Sequence, residues 1–170
     1  MTKETATGTT WLMARTDGSA DMWQMQPGVM AAALPYYRAT MTHLVALHGG
    51  TLSERQPTCD GFTAAFDRAA DAVACALSLQ LTPLDPFALG IGVHTARDGA
   101  KRLCDIAGGG QTLISGPAAS SVADDLPAGA TLEYLGDQPM GDTEPREPLL
   151  HLCHPGLPVR PAHHLGCEVR

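Results

Sequence analysis

His48-Gly49-Gly50-Thr51-Leu52-Ser53-Glu54-Arg55-Gln56-Pro57-Thr58-Cys59-Asp60-Gly61-Phe62-Thr63-Ala64-Ala65-Phe66 alternates between signals for chain reversal and signals for extended backbone. The glycine pair ends a helix, because glycine enters the left-handed region without a Cβ penalty. Thr51 to Gln56 then reads as a strand, Asp60-Gly61 as a turn, and Phe62 to Phe66 as a second strand with apolar residues at alternate positions. Asp67-Arg68-Ala69-Ala70-Asp71-Ala72-Val73 opens an alanine-rich helix. Its inner face is expected at Phe66, Ala70, Val73, Leu77 and Leu81, and Pro83 and Pro86 end it. A carboxylate, Asp60, therefore sits at the tip of a hairpin.

Upstream, Thr9 to Ala14 mixes β-branched and large apolar residues and reads as a first strand, followed by a Thr-Asp-Gly-Ser turn. Met30, Leu34, Tyr37, Met41, Leu44 and His48 recur at three- and four-residue steps, which marks one stripe of a long helix between Pro27 and Gly49. Pro35 interrupts that stripe and is expected to kink it. Downstream, Phe87 to Thr95, Gln111 to Ile114, Thr131 to Leu135 and Leu149 to Cys153 read as strands, with a short helix over Ser115 to Leu126. This order suits a ferredoxin-like α+β sandwich, a mostly antiparallel sheet with helices packed on one face. One domain is expected over 1–155, and 156–170, rich in Pro, Gly and His, as a mobile tail.

Composition narrows the function classes. With 170 residues, 44% of them hydrophobic, the chain can bury a core without metal or crosslinks. A formal net charge of -7 without clustered Lys and Arg excludes a general nucleic-acid surface. The cysteines at positions 59, 75, 104, 153 and 167 are odd in number and contain no Cys-x-x-Cys pair, so their spacing fits neither a disulfide framework nor a zinc site. Reduced thiols in a cytoplasmic setting are the expectation. Met1 to Thr10 lacks an apolar signal core and no later run is long and apolar enough to span a bilayer, so no membrane association is expected.

Taken together, Trp11-Leu12-Met13, Asp17-Gly18-Ser19 with Trp23, the hairpin at Asp60-Gly61, Gly90-Ile91-Gly92-Val93-His94-Thr95 and Ala107 to Ser115 with its Gly-Gly-Gln run resemble a known family, in their order and spacing. So does the closing His151-Leu152-Cys153-His154-Pro155-Gly156-Leu157-Pro158. That family is the class III nucleotidyl cyclases, in their catalytic homology domain. The resemblance implies the same ferredoxin-like fold, head-to-tail pairing of two domains, and an active site in the cleft between them. It also implies two carboxylates, one after the first strand and one at the hairpin tip, holding paired divalent cations, magnesium or manganese. Those cations activate the ribose 3'-hydroxyl and bind the triphosphate.

The chain departs from the family's pattern at several of these positions. Aligned through Gly18-Ser19 and Trp23, the first metal carboxylate is replaced by Arg15, and Asp17 falls on a neighbouring acidic position that is not the ligand. A guanidinium removes an anionic ligand and adds repulsion. Asp60 matches the second metal carboxylate and is the lone surviving metal candidate, but Cys59 replaces the glycine before it. Gln56 occupies the purine-reading position, where adenylate cyclases of this group carry lysine; glutamine can hydrogen-bond but brings no charge. Between Thr95 and Arg102 only Ala96 to Lys101 remains of a loop and helix start that bear a ribose-orienting asparagine, and Arg102 matches the transition-state arginine as a vestige.

Each of these residues also has a structural reading. Asp60-Gly61 is a favourable turn pair by itself. Arg15 serves as an ion-pair partner of Asp60 or Asp17, with a phosphate contact as the alternative. Arg102 reads as a solvated or interface arginine, His94 as a packed strand residue, His48 as a helix cap, and Gly108-Gly109-Gly110 as a turn into a strand. The expected function is a degenerate cyclase domain acting as a regulatory or interaction module in cyclic-nucleotide signalling. The alternatives are a weakly active adenylate or guanylate cyclase, as a heterodimer with an intact homologue, and a nucleotide-binding sensor without turnover. No cofactor is expected, and magnesium or manganese only if activity remains. Homodimers or heterodimers with a cyclase homologue are the expected assemblies, with nucleotide bound weakly at most.

Overall fold

A computed structural model of the chain describes residues 8–53, 61–139 and 146–157. The positions proposed for purine reading and metal binding at the hairpin, Gln56 and Asp60, lie outside the described residues, as does most of the C-terminal tail.

Strand β1 (Thr10–Thr16) leads through α1 (Ser19–Met25) into α2 (Pro27–Leu47), then β2 (Thr51–Leu52), β3 (Phe62–Phe66) and α3 (Ala69–Leu81). The second half runs β4 (Leu89–His94), α4 (Arg97–Ile106), β5 (Thr112–Ser115), α5 (Gly116–Val122), β6 (Thr131–Pro139) and β7 (Arg146–Cys153). The strands form one sheet in the order β2-β3-β1-β4-β5-β7-β6, antiparallel except where β4 meets β5. The mostly antiparallel α+β architecture agrees with the sequence-based expectation. β1 is an interior strand next to the central β4, with Leu12 opposite Ala64 of β3 and Val93 of β4.

Alternation along β1 divides its side chains between two layers. Leu12 and Ala14 join the larger core, which α2, α3 and α5 supply through residues such as Tyr37, Val73 and Val122. Met13, with Trp11 beside it, faces the other way and packs on Ala100 and Cys104 of α4. The helices α2, α3 and α5 thus cover one face as expected, and α4 is the addition on the other.

Most differences from the sequence reading are of boundary. The helix from Pro27 continues through Pro35 to Leu47, and its buried residues are Met30, Tyr37, Met41 and Val45, while Leu34 and Leu44 are half-buried. His48 closes it as the cap residue. Phe66 belongs to β3 rather than to the following helix, and Leu81 is exposed. In α3 burial extends to Ala69, Ala72, Cys75, Ala76 and Leu79 as well as Val73 and Leu77, because the helix touches the sheet, α2 and α5 together. Small side chains let three neighbours approach it. Helix α1, which starts at Ser19 directly after the Asp17-Gly18 turn, was not legible as a separate element.

Ala96 to Lys101, which reads from sequence as a shortened remnant before Arg102, supplies the N-cap residue and the first half of α4. The strand beneath explains how the helix fits. Gly90 and Gly92 of β4 alternate with Ile91 and Val93, so one face of that strand is apolar core and the other carries no side chain between them. A Cβ at Gly92 would collide with the Ala100 carbonyl oxygen and lie 2.5 Å from the Cys104 nitrogen; one at Gly90 would lie 2.6 Å from the Ala107 carbonyl oxygen. Arg97 at the start of the helix sits 5.5 Å above the Trp11 ring of β1, a cation–π contact that anchors its other end.

Overpacking of a close helix–strand contact costs about 1–3 kcal/mol. Gly92→Ala is therefore expected to lower the urea unfolding midpoint by an equivalent amount. Gly28→Ala in α2, where a Cβ meets nothing within 4 Å, should shift it by less than about 1 kcal/mol, in the stabilising direction.

Candidate functional site

The end of β1, the C-terminus of α4 and the glycine turn before β5 converge beside the sheet. Arg15 leaves β1 on the α4 side, directly across from Gly90, whose missing side chain gives the guanidinium room to cross β4. Its Nε donates to the carbonyl oxygen of Cys104 at 2.8 Å, and its Nη2 donates to the carbonyl oxygens of Asp105 at 3.1 Å and Ala107 at 2.9 Å. The last carbonyls of a helix have no partners within it and carry the negative end of its dipole. A cation from a neighbouring strand satisfies both needs, so Arg15 caps α4.

Asp17 completes the arrangement. Its Oδ1 lies 3.7 Å from Arg15 Nη1, and its Oδ2 accepts the Gly109 N–H at 3.0 Å. Its own backbone N–H donates to the Ala88 carbonyl oxygen at 2.8 Å. The turn that holds Gly109 is tied by the Gly108 N–H to Gln111 Oε1 at 3.0 Å. Of the two ion-pair partners that the sequence offered Arg15, Asp17 is found at hand, and Asp60 lies outside the described residues. Gly108-Gly109-Gly110 is a turn into β5, as read, but one amide of it also holds Asp17.

The oxygens of this corner already have partners within the chain. A divalent cation needs several oxygen ligands. Here the Asp17 carboxylate is engaged by an amide and a guanidinium, and three nearby carbonyls accept from Arg15. Cys104 adds no nucleophile. Burial pushes its thiol up to about 12 against the opposing effect of the Arg15 charge, and the protonated Sγ donates to the Gly90 carbonyl oxygen at 3.5 Å.

Arg102 has a different neighbour. It is exposed on α4 and its Nη1 donates to the Pro139 carbonyl oxygen of β6 at 3.3 Å, so its contact is with the far edge of the sheet rather than with Arg15. His94, at the end of β4, is buried. Its Nδ1 accepts the Ala96 N–H at 2.8 Å, which assigns the ring proton to Nε2, 3.2 Å from Glu147 Oε2. The packed-residue reading of His94 fits this geometry. His48 Nε2 lies 3.0 Å from Ser78 Oγ, tying the end of α2 to α3.

Sequence reasoning placed Arg15 and Asp17 side by side but missed the carbonyl cage. Its only local signal is the Gly-x-Gly of β4 and an arginine next to the end of β1, and that signal becomes specific once the two strands are known to be neighbours.

No protein-family profile matches the chain. Two uncharacterised proteins of Mycobacterium tuberculosis are similar to it in sequence: Rv0891c is 38% identical over 165 residues, covering 89% of this chain and 58% of that protein. Rv1359 is 36% identical over 168 residues, covering 87% of this chain and 66% of that protein. The chain thus spans less than two thirds of the length of these curated relatives. Among solved structures, an adenylate cyclase of Trypanosoma brucei superposes with a TM-score of 0.75 at 16% identity, covering 94% of each chain. The adenylyl cyclase CyaB from P. aeruginosa gives 0.71 at 14%, covering 93% of this chain and 96% of that one. An adenylate/guanylate cyclase/hydrolase from Silicibacter pomeroyi gives 0.71 at 22%, covering 85% and 95%. The chain has the fold of adenylate and guanylate cyclase catalytic domains.

Proposed function

We propose that this chain is a catalytically degenerate cyclase domain that acts as a regulatory or interaction module in cyclic-nucleotide signalling. The observation that carries the reading is the commitment of Arg15: its guanidinium is spent on the Cys104, Asp105 and Ala107 carbonyls and on Asp17, at the position where the family resemblance calls for a metal carboxylate. Asp17 is no ready substitute. Its Oδ2 already accepts the Gly109 amide, and a cation on its Oδ1 would stand beside the Arg15 guanidinium, 3.7 Å away, and be repelled by it.

The remaining positions add to this reading by residue type. Asp60 alone cannot hold a pair of divalent ions. Gln56 stands where a purine-reading lysine is expected, and Arg102, the vestigial transition-state position, is spent on the Pro139 carbonyl oxygen. Groups that act together in catalysis are not lost additively, and removing one metal ligand already disables the others. The surface that such a domain retains is the one it uses to pair, with itself or with an intact homologue.

With ATP or GTP and manganese, the purified protein is expected to form no cyclic nucleotide above background. Turnover that vanishes in Asp60→Ala would overturn the proposal. Arg15 then has a structural role, and its loss should be read in stability. Hydrogen bonds to a charged donor contribute about 1.5–3 kcal/mol each when buried and less in a partly solvated site, so Arg15→Ala is expected to destabilise by about 1–3 kcal/mol in chemical denaturation. Arg15→Asp, which restores the family's carboxylate, should be more damaging still, since it turns a negative group toward helix-terminal carbonyls.

A further inference from the structure

Three side chains with metal-ligand chemistry meet on the last two strands of the sheet, away from the Arg15 corner. Glu133 of β6 lies directly across from His151 of β7, and Cys153 follows His151 by two residues. Strand alternation sends all three to one face of the ladder. Cys153 Sγ is 3.7 Å from His151 Nδ1 and 3.8 Å from Glu133 Oε2, and those two atoms are 4.0 Å apart. Among the described residues this is the one group of three such ligand atoms that lie within 4.8 Å of one another.

We propose that Glu133, His151 and Cys153 form a zinc-binding site, with the fourth ligand supplied by water. The three atoms form a nearly equilateral triangle, and an ion at its centre would lie about 2.2 Å from each corner, within the ordinary range of zinc bonds to sulfur, nitrogen and oxygen. A tetrahedral ion sits slightly above that plane, which asks the triangle to contract by a few tenths of an ångström. The ligands have room for this, because Glu133 is exposed and His151 and Cys153 are half-buried. One thiolate, one imidazole and one carboxylate suit zinc, whereas magnesium and calcium call for oxygen ligands throughout.

The site is built on rigid backbone. His151 and Cys153 are fixed by the β7 ladder to β5 and β6, so two of the three ligands are oriented before any ion arrives. β6 is the terminal strand of the sheet, and zinc would fasten it to β7 by a link that does not depend on ladder hydrogen bonds. The spacing His-x-Cys escaped the sequence reading because it is not the Cys-x-x-Cys of zinc loops: ligands two apart share a face only on a strand.

The test is cobalt(II) titration of the reduced full-length protein, followed by zinc competition against a chromophoric chelator. One equivalent should bind, with a thiolate-to-cobalt charge-transfer band that zinc abolishes. Cys153→Ser should remove that band, and Glu133→Gln and His151→Ala should each weaken zinc binding by at least about tenfold. A variant carrying His163→Ala, His164→Ala and Cys167→Ala, which removes the histidines and the cysteine of the C-terminal segment, should bind as the parent does. Absence of the band in the folded parent protein overturns the proposal. So does a band that survives Cys153→Ser or is lost in the C-terminal variant. Glu133 is exposed, so Glu133→Gln is expected to fold and keeps the test decisive if Cys153→Ser does not.

Discussion

A methyl group at Gly92 would run into the Ala100 carbonyl oxygen, and from that closeness of α4 to β4 the rest of the structure on this face follows. With no side chain at Gly90 or Gly92, the helix settles against strand backbone. Its C-terminal carbonyls then come within reach of Arg15 on the neighbouring strand. A side chain at either glycine would push the helix away from the strand and its carbonyls away from Arg15. The glycines set the distance and the arginine uses it.

The two faces of the sheet do different work. The larger core, with Leu12, Tyr37, Phe66, Ile91 and Leu152 buried among the helices, supplies most of the folding free energy, because each fully buried large side chain is worth about 1.5–3 kcal/mol. The α4 face buries smaller clusters, Leu103 with Leu113 and Leu149, and Met13 with Ala100 and Cys104. It also carries the polar groups: Arg15 with Asp17, His94 with Glu147, and Glu133 with His151. Such pairs contribute little net stability when partly exposed, so their importance lies in where they hold α4, the glycine turn and the sheet edge.

The core-forming strands were legible because their signals are short-range. The alternation in Phe62 to Phe66, the Gly-Gly after His48 and the Pro83 stop after α3 each act within a few residues, and the corresponding elements are found close to those bounds. Burial around α3 was less legible, since a helix enclosed by a sheet and two other helices buries more than the one stripe that periodicity predicts. Helix α1 was hidden for another reason: with no fully buried residue, it carries no periodic apolar signal.

At the candidate site the residues were legible and their partners were not. By itself the sequence determined the order of elements, the α+β class, and the presence of Arg15 where the resemblance calls for an acid, because residue type and hydrophobic period are properties of the local chain. Only the tertiary structure decided what Arg15 and Asp17 touch. The carbonyl oxygens that Arg15 meets lie 89 to 92 residues further along, and they become neighbours only when the side-chain-free positions Gly90 and Gly92 let α4 descend onto the sheet.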